Sequence, residues 1–92
     1  MNTGDTKKHI SKLENEIEAL LIAVVREVAS HQFYMDLIEK HKGTRAGEIF
    51  HELAKQETSH KEHLESKLSE LQADLEELKR HEANHNSSPE IS

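Results

Sequence analysis

Glu57 and His60 stand three residues apart in the run Glu57-Thr58-Ser59-His60, and thirty residues upstream Glu27 sits in an apolar stretch. A carboxylate and an imidazole at that spacing project from one face of a helix, so both can reach one cation or two adjacent ones. The spacing itself is cheap here, because a chain with eight His holds three Glu-x-x-His runs, the others being Glu48 with His51 and Glu82 with His85. Glu57 and His60 differ in lying on a line of apolar residues, whereas Glu48 and His51 flank that line and Glu82 with His85 falls where a helix should fray. Carboxylates on apolar stripes are costly unless they share a cation or hold a proton. A metal between Glu27 and Glu57 is the simplest explanation for both.

The elements that must position these residues follow from periodicity. Ile10, Leu13, Ile17, Leu20, Val24, Glu27, His31, Tyr34, Ile38 and His41 alternate by three and four, the seam of a helix packed at a shallow angle. Leu21, Val25, Val28 and Met35 widen that face beyond the needs of one neighbour. Gly43 can supply a left-handed residue after the helix, and Thr44 can cap the next one. On the second helix Phe50, Leu53, Glu57, His60, Leu64, Leu68, Leu71, Leu75 and Leu78 form the inner face, with a stutter where His60, Leu64 and Leu68 are spaced by four. The sequence therefore predicts a flexible N-terminus over residues 1–6, a helical hairpin over 7–83 with helices at about 7–42 and 45–83, and a disordered tail over 84–92. Glu27 lies 16 residues before Gly43, and Glu57 and His60 lie 14 and 17 after it, so antiparallel pairing brings all three to one level.

Composition sets the outer bounds. In 92 residues, 34% hydrophobic and 3% aromatic, there is little for a self-sufficient core, so partner chains are expected. A charged fraction of 33% with three Gly and one Pro favours an all-α fold. The net charge of -6 argues against a nucleic-acid partner, which would need clustered Lys and Arg. Without Cys, any metal must be held by carboxylate and imidazole. The apolar run over residues 19–25 is far short of the roughly 20 residues that cross a bilayer, and it lies too deep for a secretory signal. A soluble, cytoplasmic protein with no membrane partner is expected. One hairpin offers two Glu and one His, and a homodimer doubles the set to four Glu and two His. That is the inventory of a ferritin-like four-helix bundle with two metals per dimer, for which iron is the better match and manganese the alternative.

The run Ala23, Glu27, Ala29, Phe33-Tyr34, then Phe50, Leu53-Ala54, Glu57 and His60, resembles one half of a rubrerythrin-type ferritin-like domain over residues 15–68. The spacing from Glu27 to Glu57, with Tyr34 seven residues after Glu27, is most similar to the encapsulated ferritins, short two-helix proteins that build a ferroxidase centre between subunits. This resemblance implies Glu27, Glu57 and His60 as iron ligands and Tyr34 as a partner of a ligand carboxylate. It also implies Fe(II) oxidation by dioxygen in iron storage or detoxification, a ring of paired dimers, and an encapsulin-type shell forming a nanocompartment around them. Where that family carries acidic residues beside its first ligand, this chain has Arg26 and Ala29.

Blander readings stand beside these. Glu57 and His60 could form a polar patch that sets register in a coiled coil, and Glu27 could pair with a Lys or Arg of a partner. His31, one turn after Glu27, is a further ligand candidate or a satisfied core histidine, and Glu62 with His63 is a candidate accessory metal site. The leucine ladder over residues 64–78 reads most simply as an oligomer seam. The competing functions are thus a ferroxidase, a non-enzymatic coiled-coil interaction module, and a peroxide-scavenging di-iron or di-manganese protein.

Overall fold

The computed structural model of the chain describes residues 3–87. Two helices account for it: α1 (Thr3–Lys40) and α2 (Arg45–Ser87) pair as an antiparallel hairpin. The result is a rod of 74 × 16 × 16 Å, two helices across and nowhere thicker.

The turn that folds the rod is built from three residues. Gly43 takes φ 78°, the left-handed conformation that ends α1 without a β-carbon penalty. Thr44 then caps α2, its Oγ1 accepting the Gly47 amide at 3.1 Å and donating to the His41 carbonyl at 2.6 Å. Gly47 is buried against that same carbonyl, and a β-carbon there would collide with it. Two helix ends are thereby satisfied in four connecting residues.

Helix α1 begins at Thr3 rather than near residue 7, with Asp5 in its first turn complementing the helix dipole. Helix α2 runs four residues past 83, to Ser87. The expected tail is therefore helical over residues 84–87, while residues 1–2 and 88–92 lie outside the described residues.

Packing is uneven along the rod. Ile10, Leu13, Ile17, Ala54 and Leu68 are buried, so the tightest part lies away from the turn, where α1 covers the ladder of Leu64, Leu68, Leu71, Leu75 and Leu78 in the same chain. Near the middle, α1 is apolar almost all round. Leu21, Val25, Val28 and Met35 are exposed on one flank and Ile22 and Phe33 on another, with Val25 at 67%. Such a face on an isolated rod is unusual for a helix that has met all its neighbours.

Candidate metal centre

Glu27 reaches inward from the middle of α1, and Glu57 and His60 reach toward it from α2. Each offers one donor atom, and the three atoms lie within 4.8 Å of one another. Among the described residues no other set of three carboxylates or imidazoles converges in this way.

In the single chain this cluster is electrostatically unfinished. Glu27 Oε2 is buried and has no hydrogen-bond partner. The Nδ1 of His60 lies 4.0 Å from it, beyond hydrogen-bond reach. Across the hairpin the Glu57 carboxyl is pushed above its usual range, chiefly by a hydrogen bond to Glu27, then by desolvation, then by the Glu27 charge; His60 and His31 pull weakly the other way. Two carboxyl groups so placed favour holding a proton or a cation between them. A divalent metal fits the donor set, because it would take the orphaned oxygen, offset the two carboxylate charges and accept an imidazole nitrogen.

The structure leaves His60 more open than its place on the inner face suggests. Its side chain is 63% exposed against 23% for Glu27, because it lies one step round α2 from the line of Leu64 and Leu68. One side of the cluster thus faces solvent, where further ligands could enter.

The remaining candidates fall elsewhere. His31 is not in the cluster; its Nδ1 is engaged by the Ala54 carbonyl at 3.2 Å and Thr58 Oγ1 at 3.3 Å. Tyr34 is half-buried, with its ring stacked on Phe50 at 6.3 Å and edge-on to Phe33 at 5.5 Å. Among the described residues its hydroxyl makes no hydrogen bond to Glu27, Glu57 or His60. Glu62 and His63 are exposed and outside the converging set, and Arg26 and Ala29 are also exposed. Ala54 and Thr58 carry no sequence signal of their own: a small residue and a Thr four apart, with Thr58 Oγ1 bonded back to the Ala54 carbonyl at 3.2 Å, are ordinary in helices.

Comparison with known proteins adds one decisive match. The family model for rubrerythrin covers residues 18–90, taking in most of α1, the turn, α2 and all three converging side chains. The chain belongs to the rubrerythrin family. No curated protein and no solved structure matches it. As a rubrerythrin-family hairpin it presents a ferritin-like pair of helices with a carboxylate and imidazole group at mid-height. No helix among the described residues is long and apolar enough to cross a membrane.

Proposed function

We propose that two copies of this rubrerythrin-family hairpin form a four-helix bundle whose shared di-iron centre oxidises Fe(II) with dioxygen, in iron storage or detoxification. The observation that carries the proposal is Glu27 Oε2, buried and unpartnered within reach of Glu57 and His60. A chain that needed only a register-setting polar patch would gain nothing by leaving that oxygen bare.

The homodimer answers two deficits together. One hairpin supplies two Glu and one His, too few for two metals, and a two-fold axis doubles the set. The exposed flank of Leu21, Val25 and Val28 runs along the same stretch of α1 as Glu27, so covering it brings a second chain to the level of the cluster. Iron bound there would supply one-electron oxidation at each ion: two Fe(II) become two Fe(III), and dioxygen takes the two electrons with two protons from solvent to leave as hydrogen peroxide. The chain's own residues neutralise and orient. Glu27 and Glu57 would balance the cationic charge, and the imidazole of His60 would complete a mixed oxygen and nitrogen set.

The thirty-residue interval from Glu27 to Glu57, with Tyr34 beyond, supports placing the chain beside the encapsulated ferritins. A cytoplasmic ring of dimers inside an encapsulin-type shell follows from that placement. The rubrerythrin family match supports a second reading, in which hydrogen peroxide is the preferred oxidant and manganese can replace iron.

Anaerobic Fe(II) loading, metal counting and then oxidation by dioxygen or peroxide test both. Wild type should hold about two irons per dimer and oxidise them faster with dioxygen, and Glu27→Ala and His60→Ala should lose the reaction with helix content intact. Equal rates in wild type and variants would end the ferroxidase proposal. A strong preference for peroxide would favour the second reading, and the absence of any metal effect on melting or oligomer size would favour the interaction module.

A further inference from the structure

His31 ties the two helices together one turn nearer the hairpin loop than the carboxylates. Its Nδ1 lies 3.2 Å from the Ala54 carbonyl oxygen and 3.3 Å from Thr58 Oγ1, and the Thr58 hydroxyl donates to that same carbonyl over 3.2 Å. A carbonyl only accepts, so Nδ1 carries the proton and the neutral ring keeps its lone pair at Nε2. One proton is shared between two acceptors on α2. At this height the helices are close, since Ala54 is only 4% exposed. Thr58 follows Glu57 directly, and His31 follows Glu27 by one helical turn.

We infer that His31 is a positioning residue for the metal centre. Its Nδ1–H clamp on Ala54 and Thr58 sets the register of α1 against α2, so that Glu27, Glu57 and His60 present their donors to one cation. The inference rests on the metal-binding reading above. Apolar packing fixes that register weakly, because a ladder of similar leucines keeps most of its burial when one helix slides along the other. A directional hydrogen bond between the helices does not survive the slide. His31 links the two helices by side-chain hydrogen bonds beside the cluster, whereas the ion pair of Lys79 with Glu14, at 3.5 Å, is at the far end and solvent-exposed.

Three substitutions separate the clamp from mere bulk. His31→Asn keeps a donor where Nδ1 stands, His31→Gln moves it to the place of Nε2, and His31→Leu removes it at similar volume. The full chain is titrated anaerobically with Fe(II), and with Co(II) as a spectroscopic probe, alongside thermal melting. His31→Leu and His31→Gln should weaken metal binding about tenfold and alter the Co(II) spectrum, while His31→Asn stays within about threefold of wild type. Leu68→Ala, remote from the cluster, should lower the melting temperature with metal affinity unchanged. A flat His31 series in a wild type that binds metal overturns the inference alone, as does an Asn variant no better than Gln. Leu68→Ala weakening metal as much as His31→Leu, at equal loss of melting temperature, overturns it too. A wild type that binds neither ion overturns the metal-binding reading itself and the inference with it.

Discussion

Glu27 Oε2 and His60 Nδ1 face each other across the hairpin at 4.0 Å, too far apart to hydrogen bond. With Glu57 they form the donor set that would hold a divalent cation. Glu27 Oε2 is buried without a hydrogen-bond partner, so a cation taken up by the cluster should be visible as stability.

Metal should raise the melting temperature of wild type, and a chelator should reverse the gain. With free metal at a hundred times its dissociation constant, the stabilisation is about 2.7 kcal/mol. Glu27→Gln should behave in the opposite sense when no metal is present. It removes one of two facing carboxylates and supplies an amide donor, so the metal-free protein should gain about 1 kcal/mol, roughly 4–8 °C in a domain of this size. The same variant should lose the metal-dependent increment. Calorimetry of both proteins with and without Fe(II) checks the pair of signs, and a metal-free Glu27→Gln that melts below wild type would contradict the repulsion argument.

The pH dependence has a definite direction. The folded-state pKa of Glu57 is raised above its ordinary 4.5, mainly through the hydrogen bond to Glu27. A raised acid holds its proton more tightly in the fold than in the unfolded chain, so its contribution is fully present below 4.5 and is lost as pH climbs through the raised value. The metal-free hairpin should thus lose stability across that window, and Glu57→Gln should flatten the slope. Because the proton and the cation compete for the same oxygens, metal affinity should rise over the same interval. Denaturant titrations at several pH values measure the first effect and metal titrations the second.

Much of this arrangement is legible in the sequence because helices convert spacing directly into geometry. The alternation from Ile10 to His41 predicts the seam, Gly43 and Thr44 predict the turn, and the distances of Glu27, Glu57 and His60 from Gly43 predict their common height. Lateral placement is less legible. His60 sits on the predicted inner line yet stays 63% exposed, since a two-helix rod covers only a narrow strip of each helix. The hydrogen bonds of His31 depend on how closely Ala54 lets the helices approach, and no periodicity encodes that distance. The helix ends also escape pattern reading, because the apolar stripe stops before the backbone hydrogen bonds do.

The turn should tolerate little change. Gly47→Ala places a β-carbon against the His41 carbonyl, which belongs to the backbone and cannot swing aside, so a loss of about 1–3 kcal/mol is expected. Thr44→Ala removes the cap on the Gly47 amide and should cost about 1 kcal/mol. Thermal melts of the two variants give the ranking, and a Gly47→Ala protein as stable as wild type would show that the turn relaxes more freely than its geometry implies.

The exposed flank of α1 makes a prediction about association. Val25 is 67% exposed and surrounded by other uncovered apolar residues, so a carboxylate there should be harmless to an isolated hairpin and damaging to a packed pair. Val25→Glu should reduce the mass measured by light scattering and weaken metal binding together. Unchanged mass would place the partner's contact on another face.

The four residues that join Lys40 to Arg45 also bear on the order in which the hairpin folds. Pairing outward from Gly43 encloses thirty residues by the time Glu27 meets Glu57, and nearly sixty before Leu13 meets Leu71. Shorter loops close at lower entropic cost. In folding outward from the turn, the carboxylates and His60 can thus come together before the far end of the rod zips shut, so a hairpin still open at its far end already carries its share of the metal centre.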